Sequence, residues 1–552
     1  MKRKRLGQAV LWILVFLLAA GLAALLVMQR RRSAPKEFML AGAQFGKAPQ
    51  IFVKQCATCH SPEGFGDGKA AYLVWPRPRD FSQGKFLLVT TDNRVPTDED
   101  LFRTISRGMP GSAMPPWSHL AEQDRRDLVK YVRALGLRGK IQRLMGLKGG
   151  PEAASPMKKK TAEETARYLL EVGAPLQLPP EVPSSDTTLQ QGRKVYLAYC
   201  AKCHGQEGRG DGQQKMEDDL GFRASPRDFT KGIFKGGVEA RDLAYRILGG
   251  MPGSAMPNSE FKSPDELWAV VHYVRSLVKP GEQERVVQQR RTIAAKRIGS
   301  PPGDDPLAPF WDQVQPTYIA LMPLWWRDER VEGVDVRAVH DGANLAIQLT
   351  WNDPTEDRDQ SHFTTFGDGA ALQFSADVDP PFFGMGDPAG LVNIWMWKAV
   401  WESDLVTRSA PQPIYPRAMM DFDMAVKKPG ATTAANVPSK VADRDPNFYA
   451  AWGAGNLIAN PHRPGSVENL NAKGLGTLHS QGLAGQIVRG KGAWKDRVWR
   501  VVFIRSLASR AKGDVDFRPG QSARVGFAVW DGQAGDRNGQ KSVTIWHDLS
   551  FE

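Results

Sequence analysis

The sequence predicts a multidomain chain: an N-terminal transmembrane helix, two all-α domains related by duplication, and a C-terminal all-β sandwich. Three observations carry that reading. Residues 6–28, LGQAVLWILVFLLAAGLAALLVM, hold no charge. Four strings recur in the same order at an offset of about 144 residues. From about residue 309 helical periodicity fades into short alternating runs broken by Gly, Pro, Asn and Asp. A chain of 552 residues accommodates about three to four domains, and 24% charged with 41% hydrophobic residues is globular composition.

The first element, at ~1.5 Å per helical residue, spans an apolar layer of ~30 Å. A cleaved secretory signal has a shorter apolar stretch of ~7–15 residues ending in small side chains. This run ends in MQRRRS, so an uncleaved anchor is expected over 6–28. Basic residues flank both ends, and charge asymmetry does not orient it. The formal charge of +13 is no sign of nucleic acid. Lys2, Arg3, Lys4, Arg5, Arg30, Arg31 and Arg32 supply seven of those charges, leaving +6 for the rest of the chain. That excess suits docking to an acidic partner and is too diffuse for a phosphate footprint.

The duplication is read from QCATCH with EGFGDG at 55–68 against YCAKCH with EGRGDG at 199–212, and from PRDF at 78–81 and 226–229. GMPGSAMP at 108–115 returns unchanged at 250–257, and YVRAL at 131–135 returns as YVRSL at 273–277. All four cysteines, Cys56, Cys59, Cys200 and Cys203, fall in the two CxxCH strings. None remains for a disulfide framework, a four-cysteine zinc site or an iron–sulfur cluster. Two thiols three positions apart share one face of a helical turn and form thioethers with the two vinyl groups of one haem. The histidine that follows reaches the iron. A redox CxxC pair does not need that histidine, and zinc would need two more ligands near by. Two covalent haems c are therefore expected, with His60 and His204 as proximal ligands. GMPGSAMP offers the sixth ligand as Met109 or Met114 in one copy and Met251 or Met256 in the other. His119 and His272 are rivals in principle, but His272 takes the place of Lys130 in the aligned copy, which points to a solvent-facing position. Haem c chemistry places the C-terminal bulk in the periplasm or an equivalent space.

These strings resemble class I cytochrome c, an all-helical fold in which a Met followed by Pro, on a loop before the C-terminal helix, ligates the iron. The resemblance favours Met114 and Met256, and thioether ligation raises the potential relative to bis-histidine haem. It also implies that Ile51 and Phe52, or Gly192, Val195 and Tyr196, lie on a helix packed against Tyr131 or Tyr273. Pro78 and Pro226 would offer the carbonyl that holds the proximal imidazole, and Arg79 and Arg227 would meet haem propionates. The cytochrome c domains span 42–138 and 189–279, with exposed tethers carrying short helices at 139–188 and 280–308.

From 309 to 552, runs such as LAIQLTW, AALQFSA, WRVVFIRSL and ARVGFAVWDG read as strands of a sandwich. Twelve of the sixteen tryptophans lie here, which suits either a core or a sugar-binding face. The strings PPFFGMGDPAGLVNIWMWKA at 380–399 and RVGFAVWDGQAGDRNGQKSVTIWHDL at 524–549 resemble the haem b domain of the ethylbenzene dehydrogenase γ-subunit family. That family includes the cytochrome subunits of dimethylsulfide dehydrogenase, selenate and chlorate reductases and nitrite oxidoreductase. It implies a sandwich holding one non-covalent haem b between Met385 and Lys541, with Met396, Lys398 and Met419 as competitors. Lysine ligates only as the neutral amine, so the pocket must favour the uncharged form. Asp531, Asp536 and Asn538 form a weaker candidate cation loop.

No substrate-converting constellation is legible, and haems with two protein ligands transfer electrons. The expected function is that of a membrane-anchored multihaem cytochrome, not an enzyme on its own. By resemblance it is the γ-type subunit serving a molybdenum catalytic subunit of the dimethyl sulfoxide reductase family, with an iron–sulfur subunit and a soluble or membrane electron carrier as partners. A nitrite oxidoreductase or nitrate reductase relative is the expected host. The alternatives are a diheme cytochrome whose sandwich binds carbohydrate or another ligand without haem, and a diheme peroxidase, against which the identical GMPGSAMP strings argue.

Overall fold

The computed structural model describes residues 43–148, 155–219, 221–360, 362–406, 465–509 and 511–552. The expected anchor at 6–28 and the competitor Met419 lie outside them. Among the described residues no helix is long and apolar enough to cross a membrane.

Each repeat is a small helical unit closed by a long C-terminal helix. In the first, helix Asp98–Arg107 begins at a capping box: the Thr97 hydroxyl accepts from the Asp100 amide while the Asp100 carboxylate accepts from the Thr97 amide. After the Met-containing loop comes helix Glu122–Leu144. Its apolar side meets Phe45, Phe52 and Phe81 through Tyr131 and Leu135, both fully buried. The Phe52 and Tyr131 rings meet edge to face at 5.4 Å between centroids. In the second unit, helix Asp186–Tyr199, capped by Ser185, crosses helix Pro264–Ser276, capped by Ser263. A side chain at Gly192 would stand 2.0 Å from the Ala269 carbonyl oxygen, so only glycine permits that approach. Tyr196 and Tyr273 then meet at 5.3 Å, as the resemblance implied.

Two expectations need correction. The tether 139–188 carries a short helix, Lys159–Leu169, as expected, but it is not exposed throughout: Glu122–Leu144 runs through its start, and the short helix buries Ala162 and Ala166 beside Leu144. His272 does not face solvent. It is 6% exposed, and its Nε2 lies 2.7 Å from the Val182 carbonyl oxygen. The extended segment before helix Asp186–Tyr199 covers this position in the second unit.

The C-terminal region is one hydrogen-bonded sheet doubled over a shared core. Its strands are β1 Thr292–Arg297, β2 Thr317–Ala320, β3 Met322–Pro323, β4 Gly333–His340, β5 Asn344–Asn352, β6 Gly369–Ser375 and β7 Val392–Lys398, then β8 Val467–Ala472, β9 His479–Ser480, β10 Arg489–Lys495, β11 Val498–Ser506, β12 Ser522–Trp530, β13 Ser542–Val543 and β14 His547–Phe551. The order is β10-β11-β5-β4-β1-β14-β12-β6-β7-β8-β9. Alternate residues of β4, β5 and β11 (Val336, Ile347, Trp351, Trp499, Phe503) pack in one cluster with those of β6, β7 and β12 (Leu372, Phe374, Trp395, Trp397, Phe527). The period-two pattern read from the sequence thus faces inward on both layers. The sheet begins earlier than 309, because β1 lies inside the expected tether 280–308 and pairs in parallel with both β4 and β14. A single short strand with polar flanks has no alternating run long enough to announce itself, and its partners are distant in sequence.

The tryptophans resolve the ambiguity in composition. Trp351, Trp395, Trp397 and Trp499 are at most 2% exposed, and among the described residues no tryptophan is exposed. A sugar platform needs an accessible ring face, whereas these rings fill the interior.

Candidate functional site

The two CxxCH strings sit at matching places. Cys56, Cys59, Cys200 and Cys203 are all free thiols. Burial pushes Cys56 up to about 12 and Cys59 and Cys200 up to about 11. Protonated thiols in an apolar pocket disfavour a thiolate–metal centre. The His60 Nδ1 lies 3.0 Å from the Arg79 carbonyl oxygen, whereas the His204 Nδ1, with the Arg227 carbonyl near by, is buried and makes no hydrogen bond. In the first unit the proximal carbonyl therefore comes from Arg79 rather than from Pro78. The Pro78 and Pro226 carbonyls turn instead onto Gly66 and Gly210, 2.6 and 2.5 Å from where a side chain would start. Each imidazole also stacks on a phenylalanine, His60 on Phe81 at 4.7 Å and His204 on Phe229 at 4.5 Å. Burial lowers the pKa of both rings, His204 to about 4. Burial favours the neutral ring in both, and in His60 one nitrogen is fixed on a carbonyl, the state in which the other nitrogen binds a metal.

The two Met loops fold alike. Met109 donates its amide to the Met114 carbonyl and Met251 to that of Met256, each at 3.0 Å. Met109 and Met251 are buried, and with Leu87, Leu88, Met114 and Met256 they form one cluster. The loops of the two units thus meet. Ion pairs lock the meeting: Asp242, 7% exposed, takes Arg103 at 2.6 Å and Arg107 at 2.7 Å.

The first unit opens on a cavity of about 1190 Å³ counting its solvent mouth, lined by Cys56, Cys59, His60, Met109 and Met114. Two thiols, one neutral imidazole and thioether sulfurs around one apolar cavity fit a covalently held haem. Phe382 and Phe383 of the sheet domain line that cavity too, and Phe383 lies 6.4 Å from Trp117 between ring centroids. The second unit's Arg227 and Lys235 border the cavity as well. Lys235 lies in no motif, and Phe382, Phe383 and Arg227 were read only within their own domains, because only chain packing brings them to this cavity.

Two residues beyond Phe383, Met385 adopts φ +71°, uncommon for a side chain of this size. Its amide donates to Gln373 Oε1 at 3.1 Å, and its carbonyl accepts from Gly474. Met385 packs on the outer face of β6, β7, β8 and β12 with Ala371, Ile394, Met396, Ala528, Trp530 and Trp546. Lys541 reaches the same neighbourhood, its Nζ 4.5 Å from the centre of the Trp530 ring. Burial lowers its pKa to about 8, which brings the neutral amine within reach near neutrality. Ala371 and Ala528 are opposite each other across β6 and β12, so the strip between Met385 and Trp530 is floored by small residues. A flat apolar group with a metal that takes one sulfur and one nitrogen fits this surface. Lys398 does not compete, because it is paired with Glu468 and lies over the Trp401 ring.

The loop 531–538 does not gather on one cation. Asp536 binds Arg327 at 3.1 Å, whereas a carboxylate oxygen of Asp531 lies within 4.8 Å of others on Asp353 and Asp368. Burial pushes Asp353 and Asp536 up to about 6 and Asp368 to about 8.

Comparison with known proteins agrees with this division. Residues 308–542 match the family described as ethylbenzene dehydrogenase. Residues 189–278 match cytochrome c, and 43–132 match cytochrome c oxidase, cbb3-type, subunit III. The chain is 23% identical over 279 residues to chlorate reductase subunit gamma of Ideonella dechloratans, covering 49% of this chain and 88% of that protein. It is 24% identical over 225 residues to a protein named as heme subunit ORF7 of a respiratory nitrate reductase in Haloferax mediterranei, covering 41% of this chain and 58% of that one. Among solved structures, the Kuenenia stuttgartiensis reducing HAO-like protein complex matches with 35% identity over 42% of this chain and 96% of that one, at a TM-score of 0.35. A family 9 carbohydrate binding module from Caldicellulosiruptor kristjanssonii in complex with glucose matches at 8% identity over 48% of this chain and 96% of that one, with a TM-score of 0.23.

Proposed function

We propose that this chain, which carries two cytochrome c domains and a domain of the ethylbenzene dehydrogenase family, is the electron-transfer subunit of a molybdenum-dependent respiratory oxidoreductase. It carries three haems: two covalent haems c on Cys56/Cys59 and Cys200/Cys203, and one non-covalent haem b on the sheet. The residues that would hold the irons are His60 and Met114, His204 and Met256, and Met385 and Lys541. The anchor at 6–28 holds the domains at the periplasmic face of the membrane, where a carrier of the respiratory chain is met. The catalytic molybdenum and iron–sulfur chains are separate subunits, and the host is a nitrite oxidoreductase or nitrate reductase, of which the heme-subunit relative's name supports the second.

The observation that supports this reading most is the course of the loop Phe382–Met385. Its phenylalanines border the first haem c cavity, and its methionine packs on the outer face that Lys541 approaches. The second unit meets the first through the clustered Met loops. The three centres are thereby strung in one order, sheet, first unit, second unit. Bound haem iron supplies one-electron exchange between its ferric and ferrous states.

The chain's own residues do the rest. Arg79 fixes the His60 imidazole by its carbonyl, the buried Met109 and Met251 exclude water from the distal side, and Phe383 and Trp117 fill the gap between sheet and first unit with aromatic rings. The test is a pyridine haemochrome spectrum of the full chain with acid-acetone extraction. Two haems c that stay with the protein and one haem b that is extracted, lost in Lys541→Ala or Met385→Ala, are expected. Two haems c with nothing extractable after haem-replete expression would overturn the haem b assignment.

A further inference from the structure

The Met loop of each cytochrome c unit is gripped by an arginine of the other. Arg79 of the first unit donates from Nη2 to the Gly253 carbonyl at 3.1 Å. Arg227 of the second unit donates from Nη2 to the Gly111 carbonyl at 2.6 Å. Arg79 and Arg227 hold the same place in the repeated PRDF, and Gly111 and Gly253 the same place in the repeated GMPGSAMP. The exchange is therefore reciprocal. Gly111 and Gly253 have φ of +73° and +75°. A side chain at Gly111 would start 3.1 Å from Arg227 Cζ, and one at Gly253 2.5 Å from Arg79 Nη1. Glycine serves here both the turn and the approach of a guanidinium from the neighbouring unit.

Basic side chains gather at this junction, and burial, followed by the neighbouring arginines, holds Lys235 well below the usual lysine range. Lys235 belongs to the second unit yet lines the first unit's cavity beside Cys56, Cys59 and His60, and both Arg79 and Arg227 face it. Asp218 and Asp219 offset Arg79. Arg227 stacks on Trp326 at 3.3 Å, with Arg330 over the same ring. Its Nε is buried and makes no hydrogen bond. A guanidinium with one donor on a carbonyl and another buried donor unspent is set up for an oxyanion. The carboxylates available in a haem-bearing cavity are the propionates.

We propose that Arg79 and Arg227 act crosswise, each as a positioning residue for the iron-binding loop of the other unit, and that with Lys235 they form one shared cradle for the propionates of both haems c. This rests on the covalent haem reading above. A cation beside a haem favours the reduced state, which carries one positive charge less, so each arginine raises the potential of the haem in the other unit. Two haems tied this way behave as one redox unit.

The test uses the full chain, with haem c first counted by pyridine haemochrome. Replacing one loop methionine of the second unit by histidine, Met256→His or Met251→His, whichever halves the far-red band of methionine-ligated ferric haem, leaves that band reporting the first unit. In this background Arg227→Gln is expected to remove at least half of the remaining band and to lower the first haem's potential. Arg79→Gln is expected to change both less than Arg227→Gln does. With the first unit's loop methionine replaced instead, the two arginine variants exchange roles. Arg227→Lys is expected to keep the potential while still weakening the band, since it retains charge without the planar fork. An arginine acting more on its own unit than on the other, or neither acting, overturns the proposal. With two haems c still attached, that outcome leaves the electron-transfer reading standing; a chain with no covalent haem would remove both.

Discussion

In the helical units the residues that hold a cofactor are neighbours in the chain. Cys56, Cys59 and His60 fit within one helical turn and the residue after it, and so do Cys200, Cys203 and His204. In the sheet domain the proposed ligands, Met385 and Lys541, come from loops far apart in sequence and share the neighbourhood of Trp530 only because β6, β7, β8 and β12 lie side by side. A site written in one short string survives loss of surrounding structure better than one assembled by a sheet. Covalent attachment adds to that difference, since a thioether does not dissociate.

The largest effect expected from this comparison is on attachment. Cys200→Ala with Cys203→Ala removes one of two haems c, halving the pyridine haemochrome signal per chain, while the first unit keeps its haem because its own CxxCH is intact. Loss of both haems would show that the units do not load independently.

Next comes Lys541→Ala. Haem b affinity is expected to fall beyond the ~10–100-fold that loss of a merely supporting residue costs, with haem c content unchanged. Haem titration of the apo-sheet in the full chain measures it, and an unchanged affinity would exclude Lys541 as a ligand.

A smaller effect is expected where the two helical units join. Asp242 is buried and holds two arginines that remain 35% and 41% exposed. Asp242→Asn leaves two cations short of a partner and is expected to lower stability by about 1–3 kcal/mol, read as a lower denaturant midpoint of the helical half. No change in that midpoint would make the pair a surface contact of little weight.

The smallest effect concerns the carboxylates of the sheet. The pKa values of Asp353 and Asp368 are raised, to about 6 and about 8, by burial first and then by neighbouring carboxylates. The folded state therefore holds protons that the unfolded state has released, and stability declines as pH rises from about 4 to about 8. Asp353 Oδ2 makes no hydrogen bond, so Asp353→Asn removes a repelling charge at little cost. The sheet's thermal midpoint is expected to rise at pH 8 and to stay near the parent value at pH 5. A fall at pH 8 would contradict the assigned protonation.

Much of the helical half was legible from the repeated strings, because CxxCH chemistry is local and a duplicated string announces a duplicated fold. The carbonyl partner was read one residue early, since the turn that directs Pro78 onto Gly66 depends on contact between two loops. The burial of His272 was also missed, because the chain segment that covers it lies 90 residues away. In the sheet, alternating apolar runs disclosed the strands of the core, while β1 was read as a tether, since its pairing with β4 and β14 carries no local mark.

The sequence by itself determined the chemistry available: four thiols and two histidines at haem spacing, two loops rich in methionine, and a strand-rich region dense in tryptophan. Spacing of a few residues along a helix or strand is fixed by backbone geometry, so such features need no knowledge of the rest of the fold. Only the tertiary structure decided which surfaces meet. It set Phe382 and Phe383 against the first haem cavity, crossed Arg79 and Arg227 between units, and turned the tryptophans inward. Those contacts join segments separated by more than a hundred residues, and they follow from the packing of whole faces rather than from any one string.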